Sequence, residues 1–186
     1  MNVISTKIPK VLIIEPKVFI DPRGFFLESW RHERYATHGI SDVFVQDNLA
    51  ASERGVLRGL HIQNPHAQGK LVQVILGEVF DVAVDIRLNS PWFKQWVGVY
   101  LNETNKHQFW VPPGFAHGYY VLSERAIFSY KCTETYRPEH EFSLRWDDPQ
   151  LNIKWPFEGT PQVSAKDQAA SFLANLDLQR LPIYAA

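Results

Sequence analysis

Short strand-like segments follow one another along most of this chain, and they are separated by turn-forming residues. They read as 11–20, 24–30, 43–48, 57–63, 70–76, 78–87, 96–101, 107–111, 118–122 and 126–136, with DPRG at 21–24, NPHAQG at 64–69, NSP at 89–91 and PPG at 112–114 as the punctuation. Aromatic residues make up 13% of the chain and prolines number twelve, a composition that suits strands joined by turns. Alternating strand–helix units are absent from the pattern, so a parallel doubly wound fold is not expected. The spacing predicts an all-β protein, an antiparallel sandwich or barrel with a few short helices. One helix is expected over 31–39, ending at Gly39, and another from about 165 to 175, with Ser164 as its cap and Asp167 at the capping-box position. With 186 residues and no internal repeat or linker, the chain reads as a single domain, 1–186.

Several classes are disfavoured by composition. A net charge of -1 argues against a generally basic nucleic-acid-coating protein. No apolar run approaches the roughly 20 residues of a membrane helix, and the start, MNVISTKIPKV, lacks a signal-peptide layout. The one cysteine, Cys132, can form no internal disulfide, which favours a reducing, cytoplasmic setting. No glycine-rich phosphate loop is present, so neither nucleotide hydrolysis nor dinucleotide binding is suggested.

Within 78–87, Phe80, Val82, Val84 and Ile86 share one face while Asp81, Asp85 and Arg87 share the other. The apolar face is expected in the core; the charged face meets solvent, forms an ion-pair layer or lines a cavity, with structural pairing favoured because charged side chains on a sheet usually pair or stay wet.

Four clusters carry polar chemistry. The first is GVLRGLHIQ at 55–63, followed by Lys70 at the head of an apolar run. Taken alone, His61 reads as a hydrogen-bonded core histidine; beside Arg58 and Lys70 it reads as a site residue. Strict alternation puts Arg58 and His61 on opposite faces, and a bulge at Gly59 would re-aim one of them. The second is PPGFAHGYY at 112–120, in which a Pro–Gly turn delivers His117 to a strand. The spacing Pro112-x-Gly114-x-x-His117 is that of the second metal motif of cupins. The earlier strand, however, offers His61 and Gln63 rather than two histidines, and a neutral amide is a poor transition-metal ligand. No metal site is expected. The third is AIFSYKCTETY at 126–136, where alternation puts Tyr130 and Tyr136 on one face, about 20 Å apart along one strand. The fourth is DPRGFFLES at 21–29; its Arg23, with Arg58, has the chemistry of a diphosphate clamp.

Taken together, DPRGFFLES, FVQDN, GVLRGLHIQ, AQGKLVQVILGEVFDVAVDIR, FWVPPGFAHG, SYKCTETY, WDDP and SAKD resemble the dTDP-4-dehydrorhamnose 3,5-epimerase family, in the family's order over most of the chain. The resemblance implies a cupin-like antiparallel β-barrel (jelly roll), a homodimer, and neither metal nor coenzyme. It implies that dTDP-4-dehydro-6-deoxy-D-glucose is inverted at carbons 3 and 5 to dTDP-4-dehydro-L-rhamnose. Carried over by position, His61 is the base held by Asp167, Tyr130 the acid, and Lys70 and His117 flank the sugar. Arg23, Glu28 and Arg58 bind nucleotide or diphosphate, with Gln46, Asp47 and Asn48 alongside; Tyr136 stacks on thymine, and Glu141 and Lys166 are further contacts. The chain departs from the family in having Ile62 after the histidine where Tyr is usual, Leu49-Ala50 after Asn48 where His-Ser is usual, and a loop 64–69 one residue short. The competing readings are a 3-epimerase of a related deoxysugar nucleotide, a metal-dependent cupin, and a barrel that binds sugar nucleotides without catalysis.

Overall fold

The computed structural model describes residues 1–157 and 159–185. In chain order the strands are β1 (Asn2–Ser5), β2 (Leu12–Glu15), β3 (Val18–Asp21), β4 (Gly24–Leu27), β5 (Gln46–Glu53), β6 (Leu57–Gln63), β7 (Lys70–Leu76), β8 (Glu78–Asp85), β9 (Trp96–Asn102), β10 (Gln108–Val111), β11 (Phe115–Val121), β12 (Arg125–Cys132) and β13 (Glu141–Ser143). Two short α-helices, α1 (His32–Ala36) and α2 (Ala165–Gln168), and three single 3-10 turns complete the elements.

Two antiparallel sheets face each other, one in the order β1-β2-β10-β7-β12-β5 and the other β13-β6-β11-β8-β9. This is an antiparallel sandwich, as the strand spacing predicts, and the cupin-like jelly roll that the family resemblance implies. The core between the sheets takes Val72, Phe109 and Phe128 from the first and Ala83, Val99, Phe115 and Tyr119 from the second. Each sheet is also covered outside. Segment 142–181 lays Phe142, Leu144, Leu151, Leu173 and Leu181 over the outer face of the second sheet. The α1 region lays Tyr35 and Ile40 against Ile14, Leu71 and Trp110 of the first. β3 and β4 form a separate hairpin outside both sheets.

This layering explains β8. Phe80, Val82 and Val84 pack under the C-terminal segment, while Val79 and Ala83 face the interior. The charged face is therefore buried too, and it is neutralised as expected for an ion-pair layer. Asp85 meets Arg87 at 2.6 Å and accepts from the Ser90 hydroxyl, and Asp81 meets His117. Asp81 also faces the barrel interior, the less favoured of the sequence readings for this face.

Several element boundaries differ from expectation. The stretch 11–20 divides at Pro16, whose missing N–H cannot continue the ladder. β5 runs to Glu53, past the expected end at residue 48, because β12 pairs with it over its whole length. β12 stops at Cys132, so Tyr136 does not lie on one strand with Tyr130. The helix from Ser164 does have its expected cap, Asp167 N–H donating to Ser164 Oγ, but it ends at Gln168 rather than near 175. There Ser171 bridges to Leu144 and Leu173 enters the core, so the chain must extend.

Candidate active site

β6 carries the centre of the site. Across β11 its register shifts: His61 pairs with His117, but Arg58 pairs with Tyr119, so three steps on β6 match two on β11. This is the bulge foreseen at Gly59. Its φ is +129°, and a Cβ there would lie 2.6 Å from Gly118 Cα, so the bulge needs glycine on both strands. The extra residue brings Arg58 and His61, which alternation alone would separate, to line the same space.

That space has two adjoining parts sharing Arg58, His61 and Tyr130. The inner chamber, about 120 Å³, is closed by Lys70, His117, Tyr119 and Phe128. The outer groove, about 610 Å³, reaches Tyr136, Glu141, Lys166 and Asp167. An inner chamber with an extended polar groove suits a ligand with a small reacting head and a long charged body.

His61 Nε2 is 2.7 Å from Asp167 Oδ1, and the carboxylate is nearly inaccessible while the imidazole is 32% exposed. Burial works to raise the Asp167 pKa, but hydrogen bonds from His61, the Gly59 N–H and Ser164 outweigh it, so the carboxyl lies below its usual range. With Nε2–H donated to that carboxylate, Nδ1 is the free ring nitrogen. A second pair lies opposite: His117 Nε2 is 2.8 Å from Asp81 Oδ1, both buried. Lys70, at the head of β7, has its pKa lowered by burial, partly offset by Cys132, Glu141 and Asp81. Tyr130 on β12 is pushed up to about 12 by burial first and by Cys132 and Tyr119 next, so its phenol keeps its proton at neutral pH. Arg58 is held by Ser52 Oγ at 3.0 Å.

In the outer groove the Tyr136 hydroxyl donates to Glu141 Oε2 at 2.7 Å, and Lys166 pairs with the same carboxylate. Gln46 and Asn48 face this side of β5, and Gln46 Oε1 accepts from the Tyr136 N–H. Asp47 does not. Strand alternation turns its side chain to the other face, where it pairs with Lys131 at 2.8 Å. Arg23 and Glu28 are also not brought to the cavity of their own chain. Arg23, 90% exposed, is bound to Asp21 on the hairpin, and Glu28 meets Arg31 and Arg34. Asp81, Tyr119 and Ser52 line or support the site without having been singled out for it; the readable signal was a charged residue, Asp81, inside an otherwise apolar strand.

Two departures from the family pattern fall away from the chamber: Ile62 packs in the outer core and Leu49 is exposed, whereas Ala50 lines the inner chamber. Among the described residues no three His, Cys, Asp or Glu side chains converge as a metal-ligand set. Gln63, at the place of a second cupin histidine, spends its amide on the backbone of neighbouring loops.

A jelly roll whose interior opposes a carboxylate-held histidine to a protonated tyrosine, with a half-buried lysine beside them, has the form of a barrel enzyme suited to proton transfer. The chain belongs to the dTDP-4-dehydrorhamnose 3,5-epimerase family, whose model matches residues 5–175. It is 55% identical over 175 residues to the dTDP-4-dehydrorhamnose 3,5-epimerase of Salmonella typhimurium, covering 93% of this chain and 96% of that one. It superposes with a TM-score of 0.98, at 58% identity over 100% of this chain and 99% of the other, on a crystal structure of dTDP-6-deoxy-D-glucose-3,5-epimerase from Legionella pneumophila Philadelphia 1 in complex with dTDP-4-keto-L-rhamnose. It is also 39% identical over 175 residues to a dTDP-4-dehydrorhamnose 3-epimerase of Streptomyces niveus, covering 92% of this chain and 84% of that protein.

Proposed function

We propose that this protein epimerises dTDP-4-dehydro-6-deoxy-D-glucose at carbons 3 and 5, giving dTDP-4-dehydro-L-rhamnose in dTDP-L-rhamnose biosynthesis. The observation that carries the reading is the convergence of the His61–Asp167 pair, Lys70 and Tyr130 on one chamber. Carbons 3 and 5 flank the ketone at carbon 4, so their protons are acidic and inversion gains or loses no electrons. His61 Nδ1 removes the proton, and Asp167 fixes the tautomer and supports the imidazolium. Lys70 stabilises the enolate oxygen in a dry site where a fixed charge acts strongly. Tyr130 returns a proton from the other side, the weakly acidic phenol being a sufficient donor to an enolate carbon. His117, held by Asp81, flanks the sugar; Arg58 meets the diphosphate, and Tyr136 stacks on the base.

The same reading includes a homodimer in the cytoplasm. The β3–β4 hairpin exposes Phe19, Ile20, Phe25 and Phe26, and β5, an open sheet edge, exposes Leu49. Exposed apolar side chains beside an unpaired edge favour burial against a second copy. Arg23 and Glu28 would then serve the partner's groove. The buried, lone Cys132 fits a reducing compartment, and no helix of the described residues is long and apolar enough to cross a membrane.

Incubation with dTDP-4-dehydro-6-deoxy-D-glucose in heavy water, followed by NMR, tests the reaction. Deuterium at both carbons with L-rhamno product is expected. In Tyr130→Phe, exchange should persist while inversion fails. Label at carbon 3 alone would instead make the protein a 3-epimerase, like its Streptomyces niveus relative in name. No label with bound substrate would leave a binding barrel.

A further inference from the structure

Gln63 is 4% exposed and lies two residues beyond His61 on β6, on the same face. Its amide makes three hydrogen bonds. Nε2 donates to His66 O at 2.6 Å and to Thr135 O at 3.0 Å, and Oε1 accepts from Arg137 N–H at 2.8 Å. The network fixes the orientation of the amide, since the flipped form would set NH2 against an N–H and oxygen against two carbonyls. The last two of these bonds fall on the peptide groups either side of Tyr136. The remaining N–H between them, that of Tyr136 itself, is taken by Gln46 Oε1 at 2.8 Å. Both backbone dihedrals of Tyr136 are thereby restrained by side chains from β5 and β6. Its phenol is restrained by Glu141, and Glu141 is the direct cross-strand partner of Gln63 between β13 and β6.

Tyr136 needs this help. It lies past the end of β12 and is 48% exposed, so neither a ladder nor packing holds it. A flat ring that must meet a flat base loses less entropy on binding if it is already set in place. We infer that Gln63 is a positioning residue for nucleotide recognition: it holds Tyr136 in its stacking pose and ties segment 133–137 to β6, the strand that carries His61. The inference rests on the proposed stacking role of Tyr136.

The test is a double-mutant cycle on the full-length protein, with dTDP as the probe in calorimetry and steady-state kinetics on the nucleotide sugar beside it. Gln63→Leu should weaken dTDP binding by about tenfold and raise KM, with kcat changed by less than about threefold. Hydrogen exchange of segment 133–137 should quicken while that of β7 stays unchanged. Gln63→Glu sets an oxygen against the His66 and Thr135 carbonyls and should weaken dTDP binding at least as far as Leu does; Gln63→Met, closer to Gln in length, serves if Gln63→Leu does not fold. In a Tyr136→Ala background the Gln63 substitutions should add less than about twofold. Equal losses in both backgrounds, or wild-type dTDP affinity in Gln63→Leu and Gln63→Glu, would overturn the inference while leaving the stack intact. Unchanged dTDP affinity in Tyr136→Ala alone would overturn the stacking reading and this inference with it.

Discussion

At the scale of single residues, the chamber separates two groups that ordinarily titrate close together. Burial lowers Lys70 from its usual 10.5, because a cation loses hydration there, and raises Tyr130 to about 12, because a phenolate would lose the same. The ammonium is thus the first of the two to change as pH rises. An enolate stabiliser must be charged to act, so kcat should decline on the alkaline side below pH 10.5, the ordinary lysine value. A pH–rate profile checks this. Replacing Lys70 by Gln should leave a low rate from which that alkaline limb is missing, and a limb retained in that variant would assign it to another group. Most of the residues that meet in this cavity were readable one by one as polar side chains on otherwise apolar strands: His61, Lys70, His117 and Tyr130. Asp81 was readable only as half of a pair, because a carboxylate in a strand has many ways of being neutralised and the sequence does not say which histidine it meets.

At the scale of elements, the bulge in β6 decides the site. A regular strand would put Arg58 and His61 on opposite faces. Gly59 and Gly118 approach so closely that any side chain at either position strikes the opposing backbone. Gly59→Ala should therefore cost about 3 kcal/mol through overpacking and the positive φ, lowering Tm by about 6–12 °C, as differential scanning calorimetry would register. A variant of wild-type Tm would mean that β6 can slip its register without cost. The bulge was legible as one of two open alternatives, since glycine permits it without requiring it. The early stop of β12 and the short α2 were not legible, because pairing partners elsewhere in the chain set both ends. The end of α2 is fixed by Ser171 bridging to Leu144, which strand periodicity does not reveal.

At the scale of the whole molecule, the hairpin β3–β4 stands outside both sheets with four large apolar side chains exposed, and it carries Arg23. If a second copy covers it, Phe25→Asp should convert a dimer to a folded monomer and weaken dTDP binding together. Sedimentation equilibrium with parallel calorimetry would show both, and a wild-type chain that is monomeric at micromolar concentration would remove the dimer from the proposed function. By itself the sequence determined the class of fold and the identity of the polar side chains, because strand periodicity, turn residues and local motifs are short-range properties written along the chain. Only the tertiary structure decided which of those side chains share a cavity. It turned Asp47 to the outer face, left Arg23 and Glu28 away from the cavity of their own chain, joined His117 to Asp81 and placed Gln63 behind Tyr136. Those outcomes depend on strand register, a bulge and pairings between residues as far apart as Gly59 and Asp167, which no local pattern contains.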